Sequence, residues 1–385
     1  MTRPGRLLLL LTGLAAAGAA HAQNAPDVPV AGNPVDALEQ KLASGQTVLT
    51  YADDGHGWLQ SLLAALDVSP ASQVLPFTRS SLQFDHINPE APRAVYFNDD
   101  ISVAAVHDGG LIEILANDPR DGLAFYTLDS KNTVRPKLEQ QGATCVACHG
   151  MVNAQAPGWI VANVTATADG TPVLADPVHP FDFTDQTTPF ARRWGGWYVT
   201  GTSEGMTHRG NVTVPDPYHP FDLPPGHTLA SLSGRFDLTQ TLKPTSDIVA
   251  LMVLEHQTGF TNRAFALDVD YSDKALDALA AYMTFADEVA LPGPVSGNSG
   301  FTADFAKRGP RDGEGRSLRD FDLKTRLFRY PLSYMIYSSA FDALKPDIKQ
   351  KLYRKLYDRL RASADGRTAI AIAAATRPGL PDFWK

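Results

Sequence analysis

The chain has 385 residues and a formal net charge of −8, from 34 Lys and Arg against 42 Asp and Glu. That balance argues against general nucleic-acid binding, and 44% hydrophobic residues exclude a disordered composition. The length suffices for two or more domain-sized units.

Residues 1–22 read as a secretory signal peptide. Arg3 and Arg6 form its positive start, and Leu7 to Leu11 open an apolar run that continues through Leu14 and the alanines. Ala20-His21-Ala22 is an A-x-A cleavage site. The run is short for a bilayer span of about 20 residues, and no later segment has such a run. The expectation is an exported periplasmic product, residues 23–385, with no integral membrane span. Removing Arg3 and Arg6 takes the net charge from −8 to −10.

Residues 23–35, rich in Pro, Ala and Asn, read as a flexible N-terminus, and Asp36 as the cap of a short helix through Ala43. Within Gly55 to Leu66, the residues Trp58, Leu59, Leu62, Leu63 and Leu66 share one helix face. Residues 92–128 are β-rich. Ala94 to Phe97, Ile101 to Val106, Leu111 to Leu115 and Leu123 to Leu128 alternate with Asn/Asp/Gly turns, which predicts an antiparallel meander of about four strands. Past residue 150 the chain is loop-rich to 245. Trp159 to Val164 and Thr171 to Leu174 flank a hairpin turn at Ala168-Asp169-Gly170. The heptapeptide Asp176-Pro177-Val178-His179-Pro180-Phe181-Asp182 recurs as Asp216-Pro217-Tyr218-His219-Pro220-Phe221-Asp222, two rigid proline-framed loops.

Ser246 is an N-cap candidate for a helix within residues 246–290, and Ser272 to Ala290 reads as another helix. Residues 291–300 read as a linker or exposed loop. Residues 301–385 form a helical C-terminal region, with helices over Leu318 to Ala343 and Pro346 to Ala362. The last carries an apolar stripe of Ile348, Leu352, Leu356 and Leu360, beside Lys349, Lys351, Arg354, Lys355, Arg359 and Arg361. That basic face is either a solvated surface or a dock for an acidic redox partner. The fold class is α+β: a β-meander and helices around one covalently bound haem c, across residues 36–290, then the helical C-terminal part.

The haem expectation rests on Cys145-Val146-Ala147-Cys148-His149, a C-x-x-C-H box containing the only two cysteines of the chain. Each thiol would add across one haem vinyl group, and His149 would point its imidazole at the iron as proximal ligand. A redox disulfide lacks the βαβ context. A zinc site would need further ligands, and an adjacent Cys-Cys-His triple does not easily bend to one tetrahedron. Export and haem c attachment belong to the same compartment, so the leader and the box support each other.

The sixth iron position separates the functions. Met206 follows Cys145 by 61 residues and shares the glycine-flanked loop Gly201 to Asn211 with His208; these two are the tentative distal ligands. Met252 and His256, four apart on a helix, come next, followed by His107, His179, His219 and His227. Arg192-Arg193-Trp194-Gly195-Gly196-Trp197 has two readings. Either its arginines pair with haem propionates and its tryptophans pack on the macrocycle, or it is a core aromatic cluster under a glycine turn.

The box within Gly142 to Gly150 resembles that of the cytochrome c superfamily. Six further stretches are similar to large, functionally uncharacterised exported monohaem c-type cytochromes of bacteria. They are Tyr96 to Asp100, Phe125 to Leu128, Trp194 to Gly201, Leu254 to Gln257, Arg316 to Phe321 and Tyr334 to Ser338. The resemblance implies haem attachment at Cys145 and Cys148 and proximal ligation by His149. Dihaem peroxidases are similar in size and compartment, but this chain has one box, so a two-haem mechanism does not carry over. Three readings follow. The first is a periplasmic electron carrier with a redox partner protein. The second is a monohaem peroxidase- or oxidase-like enzyme with an open sixth position, helped by Arg193, His208, Glu255 or His256. The third is a haem-based sensor.

Overall fold

The computed structural model describes residues 32–120, 122–150, 157–173, 182–215 and 224–385. The leader, most of residues 23–35, and the two repeat copies apart from Asp182, with His179 and His219, lie outside them.

Helix α1 (Pro34–Ala43) starts one turn from where Asp36 suggested. Asn33 is the cap, its side-chain oxygen accepting from the Val35 and Asp36 amides, with Pro34 in the first turn. Helix α2 is shorter than the apolar spacing implied, Leu59–Ala65. Gly55 and Gly57, both at positive φ, form a tight turn before it instead. Strand β1 (Leu75–Pro76) then leads to the meander.

The meander has five strands in sequential antiparallel order: β2 (Ala94–Phe97), β3 (Ile101–Ala105), β4 (Leu111–Asp118), β5 (Gly122–Asp129) and β6 (Leu138–Gln141). Its register pairs Ala94 with Ala105, Ala105 with Ile112, Ile114 with Tyr126, and Leu128 with Leu138. The fifth strand was not expected, because Leu-Glu-Gln-Gln carries no β signal and is held only at an edge. Alternation with period two gives the sheet two buried faces. Tyr96, Val103, Ile112, Ile114 and Tyr126 pack with Val35, Leu38, Leu62 and Leu63 of α1 and α2. Val95, Phe97, Ala104, Leu123 and Phe125 pack toward the helical body.

Helix α3 (Ala143–His149) follows β6 almost directly. Short strands β7 (Ala162–Asn163) and β8 (Asp182–Phe183) pair with each other, and β9 (Trp197–Tyr198) pairs with β1. The turn at Ala168-Asp169-Gly170 forms, with Gly170 at positive φ and Ala166 bridged to Pro172. Strand β10 (Thr202–Ser203) pairs with β11 (Val295–Ser296).

Between these last two strands runs α4 (Ile248–Ala266), 19 residues with burial on every side, which makes it the axis of the helical body. Its cap is Asp247, not Ser246. Ser246 faces the sheet, accepting from the Leu75 amide and donating to the Tyr198 carbonyl. Asp247 is fully buried; one oxygen accepts from the Val249 and Ala250 amides, the other from the Asn298 and Ser299 amides and the Ser299 hydroxyl. Any side chain at Gly297 would collide with this carboxylate. Residues 291–300 are thereby fastened to the start of α4, and Leu291 and Val295 are buried.

Helix α5 (Asp273–Met283) starts where expected, with Ser272 as its cap, but stops well short of Ala290. The Thr284 hydroxyl turns back onto the Ala280 and Ala281 carbonyls, and Phe285 takes a positive φ to reach His256. After α6 (Phe301–Lys307), the helix expected over Leu318 to Ala343 is absent. Pro331 cannot continue a helix, Asp322 draws the Lys324 and Thr325 amides into a turn, and Phe321 bridges to Phe328. Only a 3₁₀ turn at Tyr334–Tyr337 and α7 (Ser339–Asp342) remain. Helix α8 (Pro346–Leu360) buries the stripe of Ile348, Leu352, Leu356 and Leu360, and α9 (Ala364–Thr376) packs beside it. Gly32–Lys385 is one compact unit.

Replacing Asp247 with Ala removes the α4 cap and strands the 297–299 amides. A loss of about 2–4 kcal/mol in urea denaturation is expected, with Asp247→Asn losing less. An Asp247→Ala variant as stable as the parent would mean the junction is dispensable.

Candidate functional site

Cys145, Cys148 and His149 lie on α3 at spacings of three and four, so they share one helix face. Both cysteines are free thiols; Cys145 is half-buried and Cys148 exposed. Cys145 packs at the edge of the helical core, and burial pushes its thiol up, helped by Glu113 and Cys148. None of the seven residues of α3 is buried, unlike every longer helix.

His149 is oriented from two sides. Its Nδ1 lies 2.7 Å from the Gly158 carbonyl oxygen, so the ring donates there and Nε2 carries the lone pair. Phe125 of β5 packs on the ring edge-on, 4.9 Å between centroids. Burial lowers the imidazole's proton affinity, and Arg93 lowers it further, against the opposing pull of the Gly158 carbonyl and Glu113. Glu113, on the same sheet face as Phe125, pairs with Arg93 at 2.8 Å. Its other oxygen is buried with no hydrogen-bond partner among the described residues. The box therefore presents two thiols and one oriented imidazole nitrogen beside a charged pair. Among the described residues no three His, Cys, Asp or Glu side chains are grouped to hold a metal ion.

The other sequence-derived residues gather elsewhere. His208 is buried, with the Gly210 amide donating to Nδ1 at 3.0 Å and Thr228 Oγ1 3.3 Å from Nε2. It packs edge-on against Trp194. Met206 is buried in the helical core. No hydrogen bond or ring contact among the described residues joins this loop to His149.

Arg193, Glu255 and His256 form a closed buried network. Arg193 pairs with Glu255 at 2.8 Å and donates to the Thr188 and Gln186 carbonyls. His256 Nδ1 meets Gln186 Oε1 at 2.5 Å and Nε2 meets Ser333 Oγ at 2.7 Å, and Tyr282 stacks on the ring. Trp194 is fully buried with Phe190, and Trp197 donates to the Ala162 carbonyl. Only Arg193 serves this core; Arg192 is exposed and pairs with Asp182. Met252, one turn before His256, is likewise a core residue of α4. The basic face of α8 is largely engaged in pairs at the surface. Lys355 pairs with Asp273 and Asp277, Arg359 donates to the Asp277 carbonyl, Lys349 pairs with Asp342, and Arg361 with Asp358.

Sequence reasoning missed Gly158, Phe125, Arg93 and Glu113 around the box. Glu113 had one available signal, a lone carboxylate inside an otherwise apolar strand. Comparison with protein-family models, curated proteins and solved structures finds no match for this chain.

Burial holds two core imidazoles neutral, His208 down to about 4 with His227 adding to the effect, and His256 down to about 3. For His256 the charge on Asp185 opposes the shift and that on Arg263 adds to it. An unfolded chain takes up these protons near pH 6.5 while the folded chain does not, so stability present above that pH is lost as pH falls. The expected slope is about 1.4 kcal/mol per pH unit per histidine below pH 6.5. Thermal midpoints should fall from pH 7 to about 5, and more gently in His208→Asn. Flat midpoints over that range would contradict the assignment.

Proposed function

We propose that this chain is an exported c-type cytochrome that carries electrons in the bacterial periplasm. One haem is held by thioether bonds to Cys145 and Cys148, with His149 as proximal ligand. The observation that carries the reading is the hydrogen bond from His149 Nδ1 to the Gly158 carbonyl. It fixes the ring and leaves Nε2 as a ligand atom, the second-shell arrangement that an iron-binding imidazole needs. The unburied α3 supports it as well. A seven-residue helix is marginal by itself in water. An apolar macrocycle laid against α3 would give it a face to bury, at about 25 cal/mol per Å² covered.

The bound group would supply one iron that cycles between two oxidation states. The chain's own residues do the rest. Cys145 and Cys148 anchor one edge, Gly158 and Phe125 hold the imidazole, and the Arg93–Glu113 pair sets the local field. Electrons would leave to a redox partner protein. Exposure of Cys148 and Val146 leaves this edge open to one.

The second reading, a peroxidase- or oxidase-like enzyme with an open sixth position, has one observation in its favour. His208 and His256 each have both ring nitrogens in hydrogen bonds, so neither offers a lone pair as placed.

Optical spectra of the purified protein, oxidised and reduced, with and without carbon monoxide, decide between them. Electron carriage predicts a six-coordinate low-spin spectrum indifferent to carbon monoxide. A high-spin ferric spectrum with ready carbon monoxide binding on reduction would favour the enzyme. His149→Ala should abolish the parent spectrum. Met206→Ala and His208→Ala test the distal loop, and two unchanged spectra would remove it from the ligand set.

A further inference from the structure

One buried peptide group stands between the box and the axis of the helical body. The Gly158 carbonyl and the Trp159 N–H belong to the same planar unit and point to opposite sides of the chain. On one side the carbonyl lies 2.7 Å from His149 Nδ1. On the other the N–H donates to Asn262 Oδ1 of α4 at 2.8 Å. Asn262 Nδ2 donates in turn to the Trp159 carbonyl at 2.9 Å, so one carboxamide closes on both polar groups of the Trp159 main chain. These two partners also fix which end of the carboxamide is oxygen, since an N–H needs an acceptor and a carbonyl needs a donor.

The peptide is gripped from further sides. The Gly158 amide donates to the His149 carbonyl at 2.9 Å, so Gly158 and His149 are joined twice. The Trp159 indole is buried in the helical core, and its Nε1 donates to Asn117 Oδ1 of β4 at 2.9 Å. Asparagine is a weak helix former, because its side chain competes for backbone groups. At position 262 of α4 the backbone groups it takes belong to Trp159, outside the helix.

We propose that Asn262 is the positioning residue for His149, acting through the Gly158–Trp159 peptide. It fixes the plane of the carbonyl that holds the Nδ1 proton, and with it the direction in which Nε2 presents its lone pair. A second effect follows from polarisation. An amide whose N–H is hydrogen-bonded is a stronger acceptor at its carbonyl, and a stronger bond at Nδ1 makes Nε2 a more basic ligand. The redox consequence rests on the haem reading above; the orientation of the imidazole does not.

Two quantities test this on the mature, reduced protein labelled with [15N]histidine. One is the solvent exchange of the His149 Nδ1–H proton by NMR, and the other is the midpoint potential. In Asn262→Ala the proton should exchange about threefold or more faster, the size expected when one net hydrogen bond is weakened. The midpoint should rise, because a less basic imidazole stabilises ferric iron less. Asn262→Leu keeps most of the volume and removes both bonds, so it carries the same expectation where the alanine variant does not fold. Asp247→Ala, which loosens the same helix at its other end, controls for stability and should leave both quantities at the parent values. The proposal is overturned if Asn262→Ala or Asn262→Leu keeps the parent exchange rate and midpoint, or if Asp247→Ala shifts both as far. A chain without haem would show no midpoint in parent or variant, while proton exchange would still separate them; that outcome removes the haem reading and keeps the clamp.

Discussion

The sheet β2–β6 buries both faces, and this single constraint places everything else. With side chains alternating residue by residue along each strand, one register fixes which residues meet α1 and α2 and which meet the helical body. A one-residue slip would move Tyr96, Ile114 and Tyr126 out of one core and into the other. Because β6 pairs with β5 and runs at once into α3, the register also delivers His149 onto Phe125. The cysteine box is therefore an extension of the sheet edge.

The helical body is centred on α4, and its interior is more polar than its sequence suggested. Arg193–Glu255 is an ion pair with side chains 3% and 0% exposed. Such a pair gives little net stability, since desolvation offsets attraction, but removing one partner strands the other. Here Arg193, Gln186, His256 and Ser333 tie two separate segments to one helix. The network specifies how the 182–197 segment docks. It accounts for residues that, read as sequence, looked like acid–base chemistry.

Legibility followed physical locality. The meander could be read because apolar runs and Asn/Asp/Gly turns are local signals, and four of its strands sit where those signals put them. The edge strand Leu138–Gln141 could not, because its pairing depends on β5 and not on its own composition. Helix ends were hidden where caps are tertiary. Asp247 was chosen over Ser246 because loop 297–299 needed a carboxylate and the sheet needed a hydroxyl. The expected helix over 318–343 ignored Pro331, and turn chemistry at Asp322 prevailed. Cys145, Cys148 and His149 could be singled out from spacing alone, and the structure places them on one helix. Gly158, Phe125 and Glu113 were not, since only folding brings a carbonyl, a ring and a carboxylate to the same imidazole.

The proposed function stands or falls on covalent attachment of one haem at the box. The most direct measurement is the denatured intact mass of protein exported from a bacterium with its c-type haem maturation machinery. The expected mass equals the processed polypeptide plus one haem, and the haem is lost in a Cys145→Ala, Cys148→Ala double variant. A parent mass equal to the bare polypeptide would contradict it, as would an adduct that survives loss of both cysteines.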